Sequence, residues 1–250
     1  MQDIILKNIS TRADKDLDKK EIKEKTAKIL EEVNELQNLL YAESKYSVLV
    51  VLQGIDASGK DGVIRNVFGH FNPQGVTVKG FKAPTPEELS HDFLWRIHQN
   101  VPAKGMIQIF NRSHYEDILI TRVHKWCNDE TAEKRIKAIN DWEELITQHN
   151  NTILLKFYLH ISPEEQQLRL NERLSDPAKM WKYNENDFAE AKLWDEYMKM
   201  YEVAFNKCNL IPWNIVPSDQ NWYKEYIIAN KLYDTLKNLG MRYPGMKKAQ

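Results

Sequence analysis

Cysteine is scarce, long apolar runs are absent, and neither sign of charge prevails. The two cysteines, Cys127 and Cys208, show no metal-type spacing, so a reduced, cytoplasmic protein is the simplest expectation. No apolar run approaches the ~18 residues needed to span a bilayer. The opening stretch MQDIILKNISTRADKD has no signal-peptide hydrophobic region. Thirty-five basic residues against 36 acidic ones argue against non-specific nucleic-acid binding, while leaving room for a local basic groove. Neither nucleic acid nor membrane is therefore expected among the partners. Internal repeats and low-complexity tracts are missing too. What is present, 250 residues at 42% hydrophobic composition, suffices for one α/β domain over residues 1–250, near the upper end for a single core.

Apolar periodicity divides the chain into alternating elements. Ile22, Thr26, Ile29, Val33, Leu36 and Leu40 recur at spacings of three and four. They predict a helix over 17–44, an N-terminal helical extension (1–44) on the outside of the domain. YSVLVVLQG (46–54) is apolar on both faces, as a central parallel strand requires. Further strands are predicted at 75–81, 105–110, 152–161 and 213–217. Helices are predicted at 86–100, 131–149, 163–174, 187–206 and 220–239. Five strands alternating with helices imply a parallel sheet covered on both faces, with ligands at the C-terminal strand ends.

GIDASGKDG (54–62) follows the first strand at once and opens a helix. The frame G-x-x-x-x-G-K in strand–loop–helix context is a phosphate cradle. Gly54, Ala57, Ser58, Gly59, Lys60, Asp61 and Gly62 are the candidate phosphate-binding residues, with Arg65 further along the helix. The position after Lys60 normally carries a hydroxyl for Mg²⁺, but here it is Asp61, and Asp56 lies inside the loop. Carboxylates beside a polyanion repel it unless cations sit between. Asp56 and Asp61 therefore argue for divalent metal. Asp56, with Asp117 across the cleft, is the expected ligand pair, and Asp61 either binds metal through water or caps the helix.

Two more constellations flank this loop. NRSHYED (111–117) follows the third strand, which ends in Asn111 where many phosphate-loop enzymes have a carboxylate. Arg112, Glu116, Asp117 and Arg122 follow. LRLNERLSDPAKMWKYNEND (168–187) places Arg169 and Arg173 on one helix face. Lys179, Trp181 and Lys182 come after the Asp176-Pro177 break. A cationic, aromatic segment between helices predicts a lid at about 169–190. The stripe Trp194, Tyr197, Tyr201 has the spacing of core residues, and core packing is likewise expected for Trp222 and Tyr223 in VPSDQNWYK (216–224). His114 is assigned no catalytic role.

GIDASGKDG, KAPTPEELSHDFLWRIHQNVP, FNRSHYED, ERLSDPAKMWKYNENDF and IVPSDQNWYK, in that order, resemble the polyphosphate kinase 2 family over roughly residues 20–245. The resemblance implies a thymidylate-kinase-like fold: a P-loop kinase-like three-layer α/β/α sandwich with a five-stranded parallel sheet and a helical lid. It implies reversible, Mg²⁺- or Mn²⁺-dependent transfer of the terminal phosphate of inorganic polyphosphate to a nucleotide. Asp56 and Asp117 become the catalytic carboxylates and metal ligands. Lys60, Arg112 and Arg122 become catalytic phosphate binders. Arg169, Arg173, Lys179 and Lys182 line the polyphosphate channel. Family members that convert diphosphates read FDRSWYN, so Asn111 and Glu116 resemble instead the subgroup taking AMP through ADP to ATP. Adenine and guanine nucleotides, and assembly as a dimer or tetramer, are the implied partners.

The competing expectation is an ATP-dependent nucleoside monophosphate or small-metabolite kinase on the same fold. A polymer donor needs a basic track leading from the site, which the four cations of the lid supply. A nucleoside triphosphate donor needs a base pocket beside the loop. A non-catalytic nucleotide sensor, the third reading, predicts binding without turnover.

Overall fold

In a computed structural model, residues 3–245 are described; the remaining ends of the 1–250 span expected as one domain lie outside them. Five strands form one parallel sheet: β1 (Ser47–Gln53), β2 (Val76–Gly80), β3 (Ile107–Asn111), β4 (Thr152–His160) and β5 (Trp213–Pro217). Their order is β2-β3-β1-β4-β5. The strand pairs are all in parallel register, Val50 lying opposite both Ile109 and Leu155. The α/β architecture expected from the alternation is the one observed.

Among the described residues, ten α-helical segments accompany the sheet: α1 (Lys19–Glu43), α2 (Lys60–Asn66), α3 (Pro86–Leu89), α4 (Trp95–His98), α5 (Ile120–Val123), α6 (Asp129–Asn150), α7 (Pro163–Ser175), α8 (Glu185–Ala191), α9 (Trp194–Lys207) and α10 (Asn221–Asn238). Because successive strand side chains point to opposite faces, β1 feeds two cores. Val48, Val50 and Leu52 pack with Ile29 and Val33 of α1, Val63 of α2 and Ile228 of α10. Leu49 and Val51 face Ile139 and Trp142 of α6 and Phe205 of α9. All seven residues of β1 are buried, which is why its sequence lacks polar alternation. Among the described residues no helix is long and apolar enough to cross a membrane.

Helix α1 packs on the domain through the expected stripe, with Ile22, Thr26, Ile29, Val33 and Leu40 buried and most other positions exposed. Several boundaries differ from expectation for local reasons. The helix expected over 86–100 is two separate turns, α3 and α4. Thr85 and Glu88 close a capping box around Pro86. Asp92 then accepts the Leu94 N–H at 3.0 Å and starts a new turn, a side-chain bond competing with helix continuation. The helix expected over 187–206 breaks between α8 and α9. The helix after the phosphate loop ends at Asn66 and gives way to a 3₁₀ turn, Phe68–His70.

Candidate active site at the phosphate loop

The loop 54–59 joins β1, the central strand, to α2, so it opens at the C-terminal edge of the sheet. Its turn depends on left-handed backbone: Gly59 has φ +98° and Ala57 φ +62°. A Cβ on Gly54 would lie 2.6 Å from Ser58 Oγ. Lys60 heads α2 and turns back beneath the loop, donating to Gly54 O at 2.6 Å and Ile55 O at 3.1 Å. Burial, then the charge of Arg112, pulls its ammonium down to about 8. The first N–H groups of a helix lack helical partners, and this cation lies beside those of α2, a combination suited to binding a phosphate.

Opposite the loop, Arg112 follows the end of β3 with φ +62°, an unusual conformation for a side chain-bearing residue. That backbone turn delivers its guanidinium between two acids. It ion-pairs with Asp56 and, at 3.3 Å, with Glu116. Glu116 and then Asp56 hold Arg112 firmly charged against the cost of burial. Burial works to raise Asp56, but Arg112, Lys60 and Arg173 outweigh it and keep the carboxyl below its usual range. Asp61 accepts from Asn111 Nδ2 at 2.9 Å and from Lys182 Nζ at 2.8 Å. Thus each loop carboxylate already holds a cation or donor from another element.

The 168–187 segment is α7, a 3₁₀ turn at Met180–Lys182 and the start of α8. Arg173 pairs with Asp187, and Lys182 reaches across to Asp61, so this hairpin touches the first turn of α2. Arg169 is used differently. Its guanidinium donates to Ala57 O and Ser58 O at 3.1 Å each, to Ser218 O at 2.8 Å and to Asp219 O at 3.0 Å.

Other candidates lie apart from this cluster. Asp117 does not join Asp56; its carboxylate faces Arg96 and Arg135 at 3.9 and 4.0 Å. Burial raises it to about 6 despite those arginines, and its Oδ2 is buried without a hydrogen bond. Arg122 pairs with Asp129 at 2.7 Å. Exposed Arg65 donates only to neighbouring Asn66. Lys179 pairs locally with Glu172 at 2.6 Å and Asp176 at 3.5 Å. Gly62 has open space where a side chain would point. Among the described residues no three acids, histidines or cysteines converge as a metal cluster.

Some site residues escape a sequence reading. A cleft beside Asp56, Arg112 and Glu116 is also lined by Glu190, Trp194 and Tyr197. Tyr197 donates to Glu190 at 2.5 Å. The aromatic stripe read as core packs on it as expected, with Tyr201 buried at 3% exposure and Trp194 and Tyr197 partly buried against it, and all three also line the cleft. Trp222 is buried as expected. Two residues beyond it, Lys224 is buried too, and donates to Ser58 O at 3.3 Å. The only sequence signal for Lys224 is its place at the end of the 216–224 stretch, after two aromatic residues that draw the attention.

The sequence model of the family described as polyphosphate kinase 2 matches residues 16–243. The chain is 47% identical over 214 residues to the AMP/ADP-polyphosphate phosphotransferase of Meiothermus ruber, covering 85% of this chain and 80% of that protein. It is 39% identical over 229 residues to the ADP-polyphosphate phosphotransferase of Rhodopseudomonas palustris, covering 86% and 79%. The crystal structure of polyphosphate kinase 2 from Arthrobacter aurescens TC1 superimposes with a TM-score of 0.94 at 41% identity, over 98% of this chain and 89% of that one. The likeness first carried by five short motifs thus extends through the sheet, its helices and the loop at its edge, and the chain belongs to the polyphosphate kinase 2 family.

Proposed function

We infer that the protein is a polyphosphate-dependent nucleotide kinase. The observation that carries this reading is the convergence of Lys60, Arg112, Arg173 and Lys182 around a phosphate loop at the end of β1, in a chain of this family. The terminal phosphoanhydride bond of polyphosphate breaks and a new P–O bond forms to an oxygen of the acceptor's last phosphate. The polymer leaves one phosphate shorter. Such transfer is mostly positioning and charge stabilisation. The loop N–H groups and Lys60 hold phosphate oxygens. Arg112 sits where it can neutralise charge developing between donor and acceptor. Arg122 is assigned a supporting phosphate contact, and Arg173, Lys179 and Lys182 the outer track for the polymer, with the 169–190 hairpin closing over it.

The donor set fits a divalent cation. Mg²⁺ prefers oxygen ligands and keeps several waters, so one or two carboxylates suffice. Asp56 faces the cleft, and the buried Oδ2 of Asp117 has no hydrogen bond, with Arg96 3.9 Å away. Asp56 would hold Mg²⁺ or Mn²⁺, with Asp61 as a water-mediated contact and Asp117 joining it on turning from Arg96 and Arg135. When bound, the ion offsets phosphate charge and keeps the loop acids from repelling the substrate. Asn111 and Glu116 support acceptance of both AMP and ADP. The two free cysteines support a reducing, cytoplasmic setting.

The test is phosphoryl transfer with Mg²⁺ and inorganic polyphosphate as sole donor, and AMP or ADP in parallel. ATP from ADP is expected, as are ADP and then ATP from AMP. Turnover with ATP as donor to another small molecule, and none with polyphosphate, overturns the reading in favour of an ATP-dependent kinase.

A further inference from the structure

Two cations that belong to neither face of the cleft meet behind the phosphate loop. Lys224, on the first turn of α10, is 1% exposed. Its ammonium donates to Ser58 O at 3.3 Å and to Asn221 Oδ1 at 2.8 Å. A Cβ built on Gly59 would lie 2.1 Å from Lys224 Nζ and 3.4 Å from Arg169 Nη1. The ammonium therefore occupies the space that any other residue at 59 would fill. Arg169, from α7, bonds the carbonyls of Ala57 and Ser58 from the same side, and with its other nitrogen those of Ser218 and Asp219. Three elements, the loop, α7 and the β5–α10 connection, are thereby tied through carbonyl oxygens.

In a planar trans peptide the carbonyl of one residue and the N–H of the next point in opposite directions. Fixing Ser58 O toward Lys224 and Arg169 turns the Gly59 N–H away from them, toward the mouth of the loop. We propose that Lys224, together with Arg169, is a positioning residue that clamps the carbonyl side of the phosphate loop and so presents its N–H groups to the donor phosphates. This rests on the reading of the loop as the phosphate site. A side chain at 59 would displace the Lys224 ammonium, which adds to the positive φ as a reason for glycine there.

Charge contributes to the same end. Lys224 is faced by Arg169 and Glu165 from α7, by Lys60 from α2 and by Glu225 from its own helix. Burial, then Arg169, pulls it down to about 7. Lys224 is thus charged at lower pH and loses its proton as pH rises through about 7, so the free enzyme should take a polyanion better below that value.

The test compares wild type, Lys224→Met and Asn221→Ala, the last removing only the lysine's second partner. Transfer to ADP is measured against inorganic polyphosphate concentration from pH 6 to 9, and inorganic tripolyphosphate binding by calorimetry. Lys224→Met should lower kcat/KM for polyphosphate on the order of tenfold to a hundredfold, with KM for ADP within about twofold. It should also remove the bend near pH 7 from the kcat/KM profile. Asn221→Ala should move the same quantities in the same direction by less, and it alone decides the matter if Lys224→Met does not fold. Wild-type kcat/KM, pH profile and tripolyphosphate affinity in a folded variant overturn the clamp. A wild type that binds tripolyphosphate without transferring from polyphosphate overturns the functional reading, and the clamp is then judged on affinity. A wild type that neither binds nor transfers overturns both.

Discussion

At the scale of single residues, burial raises both acids and the strength of their cationic partners decides which one ends up lowered. Asp56 and Asp117 look equivalent as letters, yet Arg112 lowers one and burial raises the other to about 6. A carboxyl raised in the folded state holds its proton more tightly there than in the unfolded chain. Stability therefore falls as pH rises from near the ordinary value of 3.8 through about 6. Asp117→Asn escapes that loss: its thermal unfolding midpoint should equal or exceed wild type at pH 8, with the gap closing toward pH 4. Transfer should nonetheless fall by about a hundredfold or more, while nucleotide affinity by calorimetry stays close to wild type. Unchanged turnover would remove Asp117 from the catalytic set.

At the scale of elements, Arg169 anchors α7 to the phosphate loop and the β5–α10 connection, while the turn after α7 reaches the loop through Lys182. The Lys182–Asp61 pair is one third exposed on one side and 61% on the other, so it contributes only ~0.2–1 kcal/mol and is screened by salt. A turn held by so weak a pair can exchange Asp61 for substrate. Lys182→Ala should raise KM for polyphosphate several-fold at low salt and much less at 0.5 M salt, within a Debye length of about 4 Å. A loss indifferent to ionic strength would count against a polyanion contact. In trypsin digestion, polyphosphate should protect the bonds after Lys179 and Lys182. Asp61→Asn, which releases Lys182, should speed cleavage there in the free protein.

At the scale of the whole molecule, a charged pair lies inside the core beneath the site. Lys156 of β4 and Glu143 of α6 are fully buried and 2.8 Å apart. Tyr115, in the turn that carries Glu116 and Asp117, donates to Glu143 at 2.5 Å and accepts from Lys156 at 2.9 Å. The pair ties sheet, helix and catalytic turn together. Burial opposes the Glu143 charge, but His114 and Lys156 outweigh it and keep the carboxylate ionised. Glu143→Leu, leaving Lys156 unpaired, should cost about 3–5 kcal/mol in urea denaturation. Adding Lys156→Met should recover most of that loss, while activity recovers less because Tyr115 has lost its partners. Full recovery of activity in the double variant would show that the pair serves stability alone.

The strands and the phosphate loop were legible in the sequence because their determinants are local. The unbroken apolar run 47–53, the glycines at 54 and 59 and the helical periodicity of α1 and α6 each act over a few residues. Helix breaks were less legible: Asp92 stops one helix by a bond to Leu94 that propensity does not weigh. The pairing of charges was not legible at all. With 35 cations and 36 acids, any loop acid has many candidate partners. Asp61 meets Lys182 across 121 residues and Ser58 meets Lys224 across 166, because parallel crossovers bring distant strand ends to one edge. Local sequence was enough to specify a phosphate loop on a parallel sheet. It took packing in three dimensions to set Asp117 against Arg96 and Arg135, Arg169 on the loop's carbonyls and Lys224 behind Gly59, since electrostatics depends on position in space and not on separation along the chain.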